Sequence, residues 1–291
     1  MILKKSVLCL SVLTWSALIH LSALAIGNEH PAIASSNTAA KSSSTDIDAY
    51  INDVYNEIDF TRSQKLSPEV FNKAMRGYLN LQAAGKLNEN KQILSVVDFT
   101  RSSSENRLWI IDMKAKKVIY NTYVAHGQGS GMDFATTFSN VDGTHASSLG
   151  FYVTSDTYNG AHGNSLRLNG MDKGFNDAAL SRGIVMHAAD YVSKGNIAGQ
   201  GRLGRSWGCP AVAPELAQPI INKIKDGTCL FIYHSTAQYQ KLAYWMNKKV
   251  DNVPGNNIKL QLVEPRFENE QLADASKHDS VVTGMRVVNS I

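Results

Sequence analysis

Two helical patterns follow one another between residues 46 and 90. In the first, six apolar positions share one face of a helix: Ile47, Tyr50, Ile51, Val54, Tyr55 and Ile58. In the second, Ser67 is a typical N-cap, Pro68 suits the first turn and Gly85 is a typical stop. The apolar face of this second helix comprises Val70, Phe71, Ala74, Met75, Tyr78 and Leu79. The pattern therefore predicts a helical N-terminal extension over residues 46–90.

The pattern changes near residue 91 to short runs of Val, Ile, Leu and aromatic residues, separated by Gly, Asn, Asp and Ser. It predicts at least six strands, at residues 107–112, 117–125, 150–156, 165–169, 183–188 and 228–234. The first two flank the polar stretch 113–116 and predict a hairpin. Because no regular crossover helices separate the strands, we expect a mainly β fold, a mostly antiparallel sandwich or barrel.

Helices are also expected on the C-terminal side of this domain. One begins near Pro214 and ends at Gly227, with Pro219 predicting a short first turn or a kink. Another is predicted over residues 235–249, followed by a possible strand at 258–263. We therefore expect a catalytic-type domain at 91–250 with peripheral helices, and a partly disordered C-terminal extension at 251–291.

Composition restricts the function classes. Hydrophobic residues make up 43% of the 291 residues and charged residues 19%, which is typical of a chain that buries a core. The formal net charge of +4 is too small to indicate a phosphate-binding surface, so no nucleic-acid partner is expected. Three cysteines are too few for a disulfide framework.

The N-terminus has the pattern of a secretory signal peptide. Two lysines, Lys4 and Lys5, precede an apolar run over residues 6–24, and residues 23–25 read Ala-Leu-Ala. Cleavage after residue 25 predicts an exported protein of the periplasm or cell envelope with no stable membrane anchor; an uncleaved anchor is the alternative. Residues 26–45 are rich in Ala, Ser, Asn and Thr without an apolar period, which predicts a flexible tether.

The segment most suggestive of chemistry is residues 203–211, which read Leu-Gly-Arg-Ser-Trp-Gly-Cys-Pro-Ala. A thiol nucleophile needs a nearby base and backbone N–H groups aimed at the developing oxyanion, and Gly208 would let substrate approach that backbone. His187, in an apolar strand upstream of Cys209, is the candidate base. The alternatives are a buried core histidine and an inert cysteine, or one bonded to Cys229 in an oxidising compartment.

The spacing of His187 and Cys209 resembles the signature of YkuD-type L,D-transpeptidases, a strand histidine followed later by Ser-x-Gly-Cys. The stretch from about residue 71 to 234 is more closely similar to the divergent murein L,D-transpeptidase catalytic domain-like subgroup. The ordered landmarks are residues 97–99 (Val-Asp-Phe), 107–112 (Arg-Leu-Trp-Ile-Ile-Asp), 124–127 (Val-Ala-His-Gly), 138–140 (Phe-Ser-Asn), 147–152 (Ser-Ser-Leu-Gly-Phe-Tyr), 166–170 (Leu-Arg-Leu-Asn-Gly), 185–188 (Val-Met-His-Ala) and 204–210 (Gly-Arg-Ser-Trp-Gly-Cys-Pro).

The resemblance implies a cofactor-free acyl transfer on peptidoglycan stem peptides. Cys209 would be the nucleophile and His187 the general base, with the Ala188 carbonyl orienting the imidazole and the N–H groups of Gly208 and Cys209 forming the oxyanion hole. The thiolate would attack the carbonyl of the third residue and release the terminal D-Ala. An amine acceptor would then give a cross-link and water would give carboxypeptidation, between which the sequence does not choose.

Substrate-binding candidates surround this motif, and one departs from the family pattern. Trp207 stands where better-studied members carry His, which leaves substrate choice open. The candidates are Arg205, Ser206, Trp207, His126 and Arg167.

Two other function classes remain open. A zinc hydrolase would use His126, His162 and His187 with Asp142 or Asp190, although neither a His-Glu-x-x-His helix nor paired cysteines support it, and no metal is expected. A non-catalytic wall-binding protein with a Cys209–Cys229 disulfide is the other alternative. The sequence does not indicate an oligomeric state.

Overall fold

The computed structural model describes the backbone from residue 37 to residue 251 and the side chains from residue 46 to residue 251. The predicted signal peptide, the strand at 258–263 and nearly all of the C-terminal extension lie outside the described residues. The helices are α1 (Asn37–Glu57), α2 (Pro68–Ala83), α3 (Lys194–Gln200), α4 (Pro214–Ile224), α5 (Ala237–Leu242) and α6 (Tyr244–Asn247). The strands are β1 (Ile93–Asp98), β2 (Leu108–Asp112), β3 (Lys117–Thr122), β4 (Gly150–Gly160), β5 (Gly163–Gly170), β6 (Val185–Ala188), β7 (Ala211–Val212) and β8 (Cys229–Tyr233).

The eight strands form one sheet in the order β3-β2-β1-β8-β4-β5-β6-β7. Neighbouring strands are antiparallel except in two pairs, β1 with β8 and β6 with β7. Ala125, just after β3, bridges to Ala211 in β7, so the two ends of the sheet approach one another. The fold is therefore the mainly β near-barrel that the spacing of the strands predicted.

The core lies where the helices cover the central strands. Strands β1 and β8 are buried along their whole length, and α2 packs on them with the face that its apolar pattern predicted. Gly77 in α2 allows this close approach, because a Cβ atom there would lie 2.0 Å from the ring of Phe151 in β4. The ring of Phe151 in turn stacks on Phe231 in β8 at 4.1 Å.

Several predicted boundaries were wrong. Helix α1 begins at Asn37, before the predicted start of order near Asp46. Strands β1 and β7 and helix α3 were not predicted as elements, because β7 is only two residues long and α3 has no apolar face in its sequence. Helix α4 runs from Pro214 to Ile224, with Pro219 inside it, and ends before the predicted stop at Gly227.

The helix predicted over 235–249 is two short helices, α5 and α6. They meet at Ala243, whose backbone is extended. The side-chain amide of Asn80 in α2 donates to the carbonyls of Trp245 and Lys248, each at 2.9 Å, and holds this end of the segment on α2. A tertiary contact thus overrides a local helical pattern. None of the helices within residues 37–251 has the length and apolar character needed to cross a membrane.

Candidate active site

Parallel pairing of β6 with β7 brings His187 and Cys209 to one place. His187 in β6 is in register with Ala211 in β7, and Cys209 lies two residues before Ala211. Both side chains line the same cleft, which has a volume of about 420 Å³. Its lining consists of Tyr158, His162, Arg182, Gly183, Ile184, Val185, His187, Tyr191, Arg205, Ser206, Trp207 and Cys209. The two residues that the sequence paired therefore face a common space.

The loop that carries Cys209 is held by its own hydrogen bonds. The Ser206 hydroxyl donates to the Cys209 carbonyl at 2.6 Å and accepts from the Gly208 N–H at 3.1 Å. Gly208 has φ of +120°, a conformation that favours glycine. A Cβ atom there would also lie 2.9 Å from the Ala146 carbonyl oxygen. Ser206 therefore shapes the turn, and Gly208 is required by the backbone conformation.

These bonds correct the predicted oxyanion hole. The Gly208 N–H already donates to Ser206, so it does not point into the cleft as a free donor. The Cys209 N–H donates to no other atom of the described residues. Of the two predicted donors, only the Cys209 N–H is free to meet a developing oxyanion.

The surroundings of Cys209 favour the protonated thiol. Its Sγ accepts from the Val185 N–H at 3.4 Å and donates to the Gly183 carbonyl at 3.7 Å. Burial raises the pKa of Cys209 above its ordinary value, while the Val185 N–H and the charge of Arg182 oppose that rise. The thiol is thus poised to lose its proton only when a base takes it.

His187 is a buried imidazole with one nitrogen occupied. Its Nδ1 is 2.9 Å from the Ala188 carbonyl oxygen and so carries a proton, which leaves Nε2 as the basic nitrogen. Burial lowers the pKa of His187, and the nearby His162 lowers it further. Among the described residues no hydrogen bond joins the His187 ring to Cys209 Sγ. The directions of the two pKa shifts favour the uncharged form of each group, a thiol and a neutral imidazole.

Arg182 is a cleft residue that no sequence pattern identified. Its guanidinium donates to the carbonyls of Ser139 and Ala146 and to the hydroxyl of Ser148, at 2.8, 3.0 and 2.6 Å. These bonds hold the charge beside Cys209, where it favours the thiolate. The position follows from tertiary folding, since residues 139–148, which hold the guanidinium, are more than 30 residues from Arg182 in sequence.

The three residues before Gly208 that were predicted to bind substrate, Arg205, Ser206 and Trp207, all line the cleft. Arg205 donates to the Gly131 carbonyl at 2.9 Å, so part of its guanidinium ties the loop that carries Cys209 to residues 127–131. The Trp207 ring is 72% exposed. It stacks on His145 with centroids 4.9 Å apart and an interplanar angle of 6°, which gives the cleft rim a flat aromatic surface.

Two other candidates do not lie in the cleft. Arg167 in β5 forms an ion pair with Asp156 in β4 and lies over the Tyr158 ring, so its charge is used within the hairpin. His126 is 1% exposed, and its Nδ1 accepts from Arg107 at 2.7 Å. Burial excludes His126 from direct substrate contact, whereas substrate contact by Arg167, whose ion pair is exposed, stays a prediction.

Buried His126 instead supports the backbone next to the loop that carries Cys209. Its carbonyl accepts from the Ser206 N–H at 3.0 Å, while Arg107 also donates to the Val124 carbonyl. Burial and the charge of Arg107 lower the pKa of His126 to about 4, so it is neutral at physiological pH. The Arg107–His126 pair therefore holds the backbone on which Ser206 docks.

The arrangement of the histidines and cysteines concerns the two alternative function classes, a zinc hydrolase and a wall-binding protein with a Cys209–Cys229 disulfide. Within residues 46–251 no group of three His, Cys, Asp or Glu side chains is arranged to hold a metal ion; His162 stacks on His187, whereas His126 is bound to Arg107. Cys209 and Cys229 are both free thiols. Cys229 is fully buried in β8, so the two cysteines have different environments.

A family model for the L,D-transpeptidase catalytic domain matches residues 62–233. This match covers more than half of the chain, and the chain belongs to the L,D-transpeptidase catalytic domain family. No curated protein sequence matches the chain significantly.

Solved structures with a similar fold include three that share little sequence with this chain. An L,D-transpeptidase from Mycobacterium smegmatis is 12% identical, with a TM-score of 0.31, over 49% of this chain and 59% of that one. An L,D-transpeptidase from Stackebrandtia nassauensis is 14% identical, with a TM-score of 0.31, over 64% and 77%. A helical cell shape determining protein from Campylobacter jejuni is 12% identical, with a TM-score of 0.36, over 60% and 61%. The chain thus spans less than two thirds of the first of these proteins, and the family assignment rests on the family model.

Proposed function

We propose that the protein is an exported cysteine acyltransferase that acts on peptidoglycan stem peptides. The observation that carries this proposal is the meeting of Cys209 and His187 at one cleft, in a chain of the L,D-transpeptidase catalytic domain family. Export is proposed from the N-terminal sequence, since the wall lies outside the cytoplasmic membrane.

The first half-reaction begins with a proton transfer. His187 Nε2 takes the proton of Cys209 Sγ, and the sulfur attacks the carbonyl carbon of the third residue of the stem peptide. The Cys209 N–H donates to the oxygen of the tetrahedral intermediate. The C–N bond to the terminal D-Ala then breaks, the leaving amine takes the proton from the imidazolium, and a thioester remains on Cys209.

The second half-reaction releases the acyl group. An amine of a second stem peptide attacks the thioester carbonyl and His187 accepts its proton, so that the sulfur leaves and a new amide cross-link forms. Water in place of the amine gives a shortened stem peptide. The two outcomes share every residue named above and differ only in the acceptor that reaches the thioester.

The resting protonation states agree with this order of events. Burial favours the uncharged forms of both groups, raising the pKa of Cys209 and lowering that of His187. A neutral thiol and a neutral imidazole therefore precede the proton transfer, and a preformed thiolate–imidazolium pair is not required.

Mass spectrometry of a tetrapeptide muropeptide incubated with the protein tests the proposal. We expect loss of the terminal D-Ala with the unmodified protein, and tripeptide or cross-linked dimer as product. The variants Cys209→Ala and His187→Ala should abolish it, whereas Cys229→Ala, at a buried thiol away from the cleft, should retain it. Absence of turnover by the unmodified protein with its thiols reduced would favour a non-catalytic wall-binding role.

A further inference from the structure

The hairpin of β4 and β5 carries a second imidazole to the candidate base. The two strands pair as far as Gly160 and Gly163, leaving Ala161 and His162 as a two-residue turn. Gly163 has φ of +73°, which suits such a tight turn. The His162 ring lies over the His187 ring with centroids 4.4 Å apart and an interplanar angle of 22°.

This stack completes the enclosure of His187. The base is 3% exposed, whereas the turn that covers it, Ala161 and His162, is itself exposed to solvent. The Ala188 carbonyl holds one edge of the His187 ring through Nδ1, and His162 covers one face. The burial of the base therefore depends on a side chain at the tip of a hairpin.

The stack is also sensitive to charge. Two protonated imidazoles at this distance would repel one another. The other ionisable groups lining the cleft are Tyr158, Tyr191, Arg182, Arg205 and Cys209, and no carboxylate lines it. Asp156, on the same hairpin, is paired with Arg167. Among these groups only a Cys209 thiolate would offset a positive charge on the two rings.

We propose that His162 is a positioning residue for His187: by covering one face of the His187 ring, it fixes the tilt of the base and keeps the base buried and neutral. This inference rests on the proposed role of His187 as the base. It assigns to the β4–β5 hairpin a part in the reaction that the Ser-x-Gly-Cys motif does not contain.

Titration of the imidazoles by NMR, with ¹⁵N-labelled histidine and no substrate, tests the coupling. His187 is assigned with a His187→Gln variant. We expect the titration midpoint of His187 to rise by about one pH unit in His162→Ala, which removes both the aromatic cover and the second imidazole. In His162→Phe, which keeps an aromatic ring but removes the imidazole, the midpoint should rise by about half a pH unit. Ala161→Ser, the neighbouring exposed position, should leave the midpoint unchanged.

The pH dependence of turnover is the second readout. We expect kcat to fall about tenfold in His162→Ala and about threefold in His162→Phe, with the acid limb of the pH profile displaced in the same direction as the NMR midpoint. A His187 midpoint that is identical in all four proteins would overturn the proposal, even if His162→Ala unfolds at a lower temperature. If the unmodified protein shows the coupling but no turnover on stem peptides, the proposed function fails and the coupling stands.

Discussion

At the residue scale, the site is defined by what each polar group already binds. The Ser206 hydroxyl accepts from the Gly208 N–H, Arg167 forms an ion pair with Asp156, and His126 accepts from Arg107. Among the described residues, the Cys209 N–H and the Nε2 atom of His187 are two cleft groups that have no hydrogen-bond partner. The candidate chemistry therefore rests on fewer groups than the sequence motif alone predicts.

The reactivity of Cys209 should reflect its burial and the charge of Arg182. In the absence of substrate we expect alkylation by iodoacetamide to be slow at neutral pH and to accelerate above the ordinary thiol pKa of 9.0, because burial raises the pKa of Cys209. Arg182→Met should slow alkylation about threefold at a fixed pH, corresponding to a further rise of about half a unit.

Peptide mapping by mass spectrometry assigns the alkylated residue. Arg182→Lys, which keeps a positive charge, should recover much of the rate, and far-ultraviolet circular dichroism checks that both variants fold. Cys229 should stay unmodified until the protein unfolds. An alkylation rate that is already maximal at pH 7 would contradict the assignment of a resting thiol.

The second prediction at this scale concerns His126 and acid stability. Its pKa is lowered from 6.5 to about 4 in the fold, so between these values the unfolded chain binds more protons than the folded one. Stability is therefore present above pH 6.5 and is lost as the pH falls towards 4. We expect the acid-dependent loss in free energy of unfolding to be smaller by roughly 2–3 kcal/mol in His126→Asn, whose amide retains an acceptor for Arg107.

Urea unfolding at pH 7 and at pH 4.5 measures this loss. Comparing the pH dependence of the two proteins removes the contribution of carboxylates and of the other histidines. An identical loss in both proteins would show that His126 does not titrate in this range.

At the scale of elements, the β4–β5 hairpin connects the sheet to the cleft. Its strands continue beyond their partners to Gly160 and Gly163, and its turn reaches His187. Asp156 and Tyr158 on β4 hold Arg167 on β5 by charge and by the ring face. The hairpin is thus fastened by its own side chains on the strands that lead to the cleft.

Arg167 should act through this hairpin rather than through substrate. We expect Arg167→Ala and Asp156→Ala to change KM for stem peptide alike and slightly, with a stability loss below about 1 kcal/mol, because the ion pair is exposed. Steady-state kinetics on both variants measures this. A large rise in KM for Arg167→Ala alone would indicate that Arg167 binds a substrate carboxylate.

At the scale of the whole molecule, the helix α2 and the sheet form one core. Gly77 is the point of closest approach: a Cβ atom would overlap the Phe151 ring, which itself stacks on Phe231. Glycine inside a helix costs up to about 1 kcal/mol relative to alanine, so its presence in α2 reflects packing and not helix propensity.

Substitutions at two glycines, Gly77 and Gly199, test the packing role of Gly77. Gly77→Ala should lower the free energy of unfolding by about 1–3 kcal/mol, because the added methyl group forces α2 away from the sheet. Gly199→Ala in α3, where nothing lies within 4 Å of the added atom, should be neutral or stabilising by up to about 1 kcal/mol. Urea denaturation of the two variants gives both values; equal effects would contradict the packing role of Gly77.

The sequence by itself determined most of the local structure. Apolar periodicity located the faces of α1 and α2, the alternation of apolar runs and turns located six of the strands, and the motif around Cys209 located the nucleophile loop. These features depend on neighbours within a few residues, so a pattern in the chain is enough to predict them. The same holds for Gly208, whose conformation is set by the turn that it occupies.

Only the tertiary structure decided which of these elements and side chains contact one another. The pairing of β1 with β8 joins strands far apart in sequence, and the pairing of β6 with β7 brings Cys209 to His187. Arg182 and His162 line the cleft, although they lie in loops that carry no motif. His126 and Arg167 do not line it; they bind Arg107 and Asp156. A polar side chain can bind any suitable group that folding places beside it. When that group is far away in sequence, the packing of the whole sheet decides which group it is.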